Sequence, residues 1–381
     1  MSKKVHINGE VYAVGETIGS CLASVINAVS KTETKVVVEL ESGQNYEIFE
    51  RIIAPNKILS FFSLDGKYSK INNNFKPSVD STMNEAEILE NEINNYAIDM
   101  PLNPDLATTA QAEKRMIIKD LFLTGEGSGI RCQGSYKSQF SNIDIYNMEN
   151  GINLEFCLQA MIKDCEVNFR NKGLIVGIIG TGYNSAQSNG TSVNDNRLFS
   201  MRPHPTSKRS PLTALEVNDS NLVKVDGLIS EGWIVGRAIH LNNTNTTVIS
   251  TNISRLHAEN YLYTDAVIVS EGRWLPILIL DEVYYAPSKH RLSTVIRVDY
   301  TGTVSMVKIK NTYAFGYWKI LMNQHGTGDR IRNISCGFTF DGMTKQLVRD
   351  SIIENMFSGM PSNMFGTQTP EKLYRNSDVK I

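Results

Sequence analysis

The chain has 381 residues, with 38 Lys+Arg against 40 Asp+Glu and a formal net charge of −2. That balance argues against a dedicated nucleic-acid binder, which concentrates basic charge, and no stretch approaches the roughly 20 apolar residues of a membrane span. Five cysteines (Cys21, Cys132, Cys157, Cys165, Cys336) are an odd number with no Cys-x-x-Cys pair. They read as free thiols packed as small hydrophobes, not as a disulfide framework.

The opening "MSKKVHINGEVYAVG" carries two lysines but no apolar core of signal-peptide length, so a route without a Sec-type signal is expected. Residues 17–30 predict a short amphipathic helix with Ile18, Leu22, Val25, Ile26 and Val29 on one face. "KVVVELESGQNYEI" and "RIIAPNKILSFFSLDG" then read as short strands around Gly and Pro-Asn turns. Residues 66–114 are polar, with a helix predicted at about 83–96 and prolines at 101 and 104; they read as an insertion or extended loop.

From 115 to 340 strand and turn alternate almost without interruption. "MIIKDLFL" at 116 returns as "AMIKDCEV" at 160, with Met116 on Ala160 at an offset of 44, or two turns of 22. "DGLISEGWIVGRAIHL" (226–241) and "SRLHAENYLYTDAVIV" (254–269) repeat one apolar rhythm at an offset of 28 without a gap. In that alignment Glu231 meets Glu259, Trp233 meets Tyr261, and Ile239 meets Val267. Short strands repeating every twenty-odd residues with no helices between them do not fit βαβ units. Two-residue Asn-Gly signals are too sparse for a hairpin meander. The pattern fits a parallel β-solenoid, in which each coil's apolar face is completed by the next. The ends of such a stack need covers, and the helix at 17–30 is placed to cap the first coil. A second helix is predicted at 344–360, followed by an extended tail. The expected division is 1–34 with the capping helix, 35–65 as first coils, 66–114 as insertion, 115–340 as the main solenoid and 341–381 as helix and tail.

A capping helix, the "KVVVELESGQNYEI…RIIAPNKI" entry and strand–turn coils across 115–340 resemble the pectate-lyase-like right-handed parallel β-helices. Within that group the chain is most similar to tailspike or tail-appendage proteins of bacterial viruses. The resemblance covers about 30–65 and 115–340 and rests on architecture, without a motif matched residue by residue. It implies an all-β, right-handed, single-stranded parallel β-helix with an N-terminal capping helix and a short non-solenoid C-terminal tail. It further implies a homotrimer on the virion tail, with other tail proteins and host-surface polysaccharide as partners. No cofactor, nucleic acid or membrane insertion is implied. The short segment before the capping helix leaves attachment to the N-terminal segment, the 66–114 stretch or the tail.

The coil alignment gathers informative groups along one edge. Glu231 and Glu259 fall in equivalent turns with His257 close by, ringed by Trp233, Tyr261, Tyr263, Tyr284 and Tyr285. Basic loops add Arg202, His204, Lys208, Arg209, Lys289, His290 and Arg291. Aromatic faces stack on sugar rings, cations hold acidic sugars, and two carboxylates can divide acid and base roles. The edge therefore reads as a glycan groove with Glu231, Glu259 and His257 as catalytic candidates. The alternatives are that both glutamates are solvated turn residues, the default surface of a solenoid, or that they contact a ligand without catalysis.

Arg237 and Asp265 also align and read as a cross-coil ion pair, and Asp120 and Asp164 as turn-forming carboxylates that bond local amides. "GEGSG" and "GIIGTG" lack the following helix of a phosphate loop, and the six histidines lack zinc spacing, so no metal is expected. A cellular polysaccharide lyase or glycoside hydrolase of the same fold, and a purely structural virion or baseplate component, stand as the competing functions.

Overall fold

A computed structural model describes residues 3–77, 80–103, 113–178, 188–201, 212–232, 236–244, 250–260, 266–272, 275–285 and 294–300, and short strand segments beyond. The chain divides into two compact units, 1–177 with 185–191, and 178–184 with 192–381.

In the first unit β1 (Lys3–Ile7) and β2 (Glu10–Val14) form an antiparallel hairpin. Its turn residues Asn8 and Gly9 both take positive φ, the requirement of a tight two-residue turn that Asn-Gly meets at low cost. Helix α1 (Leu22–Thr32) begins later than the sequence suggests, which leaves Ile18 outside it and exposed while Leu22, Ala23 and Ile26 are buried. The first coil follows as β3 (Lys35–Leu40), β4 (Asn45–Ile48) and β5 (Ile52–Ile53). Its open edge is covered in two ways. β1 pairs antiparallel with β3, and Asn27 on α1 meets the β5 edge, donating to Arg51 O at 2.8 Å and accepting from Ile53 N at 2.7 Å. Unpaired strand edges template aggregation, so the expected cap is present, made of a hairpin and a helix.

The next coils are β6 (Phe61–Asn73) with β7 (Tyr96–Met100), then β8 (Arg115–Gly125) with β9 (Ser128–Tyr136). β10 (Gln139–Leu158) spans a whole coil, and β11 (Met161–Lys163) and β12 (Glu166–Val176) form the last. All these ladders are parallel. The register confirms the period: Ile117 pairs with Gln139 and Gln139 with Met161, two steps of 22. Residues 66–114 are not simply an insertion, because the end of β6 and all of β7 belong to the coils. The helix within them, α2 (Glu85–Ile93), starts in a capping box between Asn84 and Glu87.

Side chains stack in columns through the interior. Val38, Leu64, Ile118, Phe140 and Ile162 follow one another in register, each fully buried. Ile98, Ile130, Ile152 and Leu174 do the same on another side. Burying each such side chain contributes roughly 1.5–3 kcal/mol, and no single coil could do so alone. One corner is a glycine column: a Cβ on Gly129 would lie 2.6 Å from Gly151 O, and one on Gly151 would lie 2.3 Å from Gly173 O. Another is a column of left-handed residues, Asp120, Asn142 and Asp164, with φ of 52–53°. Asp120 accepts from Asn142 Nδ2 at 2.6 Å, so this carboxylate braces the adjacent coil instead of capping only its own turn. Cys21, Cys132, Cys157 and Cys165 are buried and form no disulfide; Cys336 lies outside the described residues.

The second unit repeats the scheme. β13 (Ser192–Ser200), β15 (Val223–Gly232), β17 (Thr251–Asn260) and β19 (Leu275–Tyr285) form one parallel ladder. β14 (Thr213–Asn218), β16 (Arg237–Asn243), β18 (Ile268–Gly272) and β20 (Thr294–Tyr300) form another. The ladders continue into β21 (Val304–Ile309), β22 (Tyr313–Ala314), β23 (Lys319–Gln324), β24 (Ile334–Ser335) and β25 (Phe357–Ser358). The all-β parallel β-helix expected from the sequence is thus the fold found. The helix predicted at 344–360 lies outside the described residues except at 357–358, which are strand.

Candidate functional site

The offset of 28 is the true register of β15 on β17. Leu228 pairs with Leu256, Ile229 with His257 and Glu231 with Glu259, and His257 pairs in turn with Tyr284 on β19. Strand alternation buries Leu228, Ser230, Leu256, Ala258 and Val283 and turns Ile229, Glu231, His257, Glu259 and Tyr284 outward. Both glutamates therefore sit on strands, not in the turns where sequence reading put them, because β15 and β17 run two residues further than expected.

The outward face brings three candidates together. One ligand atom from each of Glu231, His257 and Glu259 lies within 4.8 Å of the others. His257 Nε2 is 3.3 Å from Glu259 Oε2. The imidazole stacks on the Tyr284 ring at 4.6 Å between centroids and 16° between planes, which fixes its orientation. One coil earlier Phe199 is opposite Glu231, with the Arg197 guanidinium over its ring at 5.1 Å. Along the same ladder Arg255 bridges Asp226 at 2.8 Å and Asp195 at 3.2 Å. The Arg255 hydrogen bond brings the Asp226 carboxyl down to about 2 and keeps it ionised.

Tyr285 is placed by its backbone opposite Ala258, in the register of a buried residue, not of His257. Trp233, Tyr261, Tyr263, Arg202, His204, Lys208, Arg209, Lys289, His290 and Arg291 lie outside the described residues. The strands that precede them, β13, β15, β17 and β19, are neighbours in one ladder.

Past that corner the gapless alignment fails. Ile239 pairs with Ile268, an offset of 29, because one extra residue is absorbed between the strands. Arg237 pairs with Glu271 at 3.4 Å, whereas Asp265, its expected partner, lies outside the described residues.

The second ladder holds a cluster that sequence reasoning missed. His240 reaches Glu271 through Nε2 at 2.8 Å and Glu216 through Nδ1 at 3.8 Å, and Arg297 grips Glu271 at 2.8 Å. Asn218 donates to Glu216 at 2.8 Å. Burial opposes charge on His240, but hydrogen bonds to Glu216 and Glu271 prevail and raise its pKa. The hydrogen bond from His240 brings Glu271 down to about 2 against the opposing effect of burial. The signal was legible as polar residues at one position of successive apolar runs, "ALEVN" and "AIHLN". Mutual neutralisation marks this cluster as a cross-coil clasp.

No family model matches the chain, and no curated protein matches its sequence. Among solved structures the chain is similar to the Family 28 exopolygalacturonase of Yersinia enterocolitica, at TM-score 0.49 and 10% identity over 89% of this chain and 75% of that one. It is similar to PfbA, a surface adhesin of Streptococcus pneumoniae, at TM-score 0.40 and 9% identity over 82% and 89%. It is also similar to the catalytic domain of a GH87 α-1,3-glucanase, at TM-score 0.46 and 10% identity over 90% and 65%. No residue's role carries over from these proteins.

Proposed function

We propose that the outward face of β15, β17 and β19 binds a polysaccharide and that Glu231 and Glu259 cleave it as a carboxylate pair, one as acid and then base and the other as nucleophile. The observation that carries this reading is the paired register of the two carboxylates beside an oriented His257–Tyr284 stack. A flat aromatic surface next to convergent hydrogen-bonding groups suits a sugar ring, apolar on its faces and polar at its edges. Carboxyl groups about 5–5.5 Å apart suit a retaining glycosidase, and the closeness of the two glutamates favours that outcome over inversion. The wider reading, from the resemblance to viral tail appendages, is a homotrimer on the virion tail that recognises host-surface polysaccharide.

The test is incubation with purified bacterial surface polysaccharides and measurement of released reducing ends. The Glu231→Gln, Glu259→Gln double variant should lose cleavage by at least about a hundredfold while keeping its circular dichroism. Full activity in that variant removes the proposed carboxylate pair.

A further inference from the structure

Glu231, His257 and Glu259 present two carboxylates and one imidazole on adjacent coils, with one donor atom of each inside 4.8 Å of the others. Two ligands of a tetrahedral ion bound at about 2.1 Å stand about 3.4 Å apart. His257 Nε2 and Glu259 Oε2, at 3.3 Å, already have that separation. Glu231, partly exposed, sits opposite Glu259 on the neighbouring strand, with a donor atom within 4.8 Å of the other two. The stack on Tyr284 holds the imidazole plane in place. Charge points the same way. Among the described residues neither carboxylate has a Lys or Arg partner, so two negative charges share only an imidazole. Asp195 and Asp226, on the same ladder, are both held by Arg255.

We propose that Glu231, His257 and Glu259 form a three-donor site for a divalent transition-metal ion of the zinc class, with its remaining positions open to solvent. Mixed imidazole and carboxylate donors suit such ions better than the all-oxygen sets of calcium or magnesium. The offset of 28 brings the three residues together in the sequence, but they show no zinc-type spacing along it, because the set is completed only when coils stack. With the ion bound, both glutamates are its ligands and not the cleaving carboxylates proposed above, so paired sugar hydroxyls or a sugar carboxylate on that surface would meet the ion itself at its open positions. That last part rests on the polysaccharide reading; ion binding itself does not.

The experiment titrates Co2+ into the full chain, follows its visible absorption, and displaces it with Zn2+. The expected result is one equivalent of Co2+ per chain, with binding weakened at least about tenfold in His257→Ala and separately in Glu231→Gln. Both side chains are surface groups, and unchanged melting of the variants confirms that the fold is retained. No uptake by the native chain, or equal uptake by native and His257→Ala protein, overturns the site. Polysaccharide binding measured in parallel with EDTA keeps the two claims apart. Co2+ uptake without any bound polysaccharide leaves the ion site standing and removes the functional reading. Polysaccharide binding without Co2+ uptake does the reverse.

Discussion

Replacing Gly151 with alanine tests the coil stacking where it is tightest. The added Cβ would lie 2.3 Å from Gly173 O and 2.4 Å from Val167 Cγ1, whereas ordinary contact begins at 3.4 Å. Each obstacle would have to retreat by about 1 Å, and neither is free to do so. One is a backbone carbonyl inside the stack, and the other is a fully buried β-branched side chain. Overpacking of this kind costs about 1–3 kcal/mol, offset by about 0.5–1 kcal/mol because alanine loses less backbone entropy. With both obstacles fixed, the net is about 2 kcal/mol, or roughly 30-fold in the local unfolding constant. Gly43→Ala is the control. It has φ of 68° and nothing within 4 Å, so it suffers only the left-handed backbone penalty of about 1–2 kcal/mol less the same offset. The three tryptophans, Trp233, Trp274 and Trp318, all belong to the second unit, so fluorescence is the wrong probe. Hydrogen exchange of peptides covering 128–176 reads the perturbed coils directly, since coils of a solenoid open with their neighbours. Unchanged exchange there, or a larger effect from Gly43→Ala, would refute the stacking argument.

Further outcomes follow from the charged clusters and the assembly. Asp99 is nearly buried and takes two bonds from Arg131, at 2.9 and 2.7 Å, so Asp99→Ala strands a half-buried guanidinium and should destabilise the first unit by about 3 kcal/mol in urea unfolding. His240 has its folded-state pKa raised above the ordinary 6.5, so its contribution is complete below about pH 6.5 and is lost as pH rises through the raised value. The urea midpoint of the second unit should therefore fall on going from pH 6 to pH 9, and His240→Gln should flatten that fall; identical slopes would contradict the clasp. Light scattering on a sizing column should give three times 42.6 kDa, and a monomer would remove the tail-appendage reading.

Much of the fold was legible because stacking imposes a strict period on the sequence. "MIIKD" and "AMIKD" mark two coils since each ends at a left-handed corner, where Asp120 and Asp164 tolerate a φ that β-branched residues do not. The pairing of Glu231 with Glu259 was legible for the same reason. Turn length was not, and one extra residue moved Ile239 from Val267 to Ile268. The glycines at 129, 151 and 173 keep the 22-residue period in plain view, but their use, close approach of two backbones, shows only in the stacked coils. Asn8-Gly9 is a two-residue hairpin signal, and the strands on either side of it pair as that signal implies. The His240 clasp is only half legible: Glu216 and His240 share one position of "ALEVN" and "AIHLN", but Glu271 and Arg297 join them only after stacking.

The most direct measurement is affinity electrophoresis of the native chain through gels containing individual bacterial surface polysaccharides, repeated with Tyr284→Ala and His257→Ala. The polysaccharide reading predicts retardation by at least one polymer, with each variant losing about tenfold or more in affinity while keeping its melting temperature. Retardation that is unchanged in both variants would place the binding surface elsewhere, and free migration in every polymer would contradict the function itself.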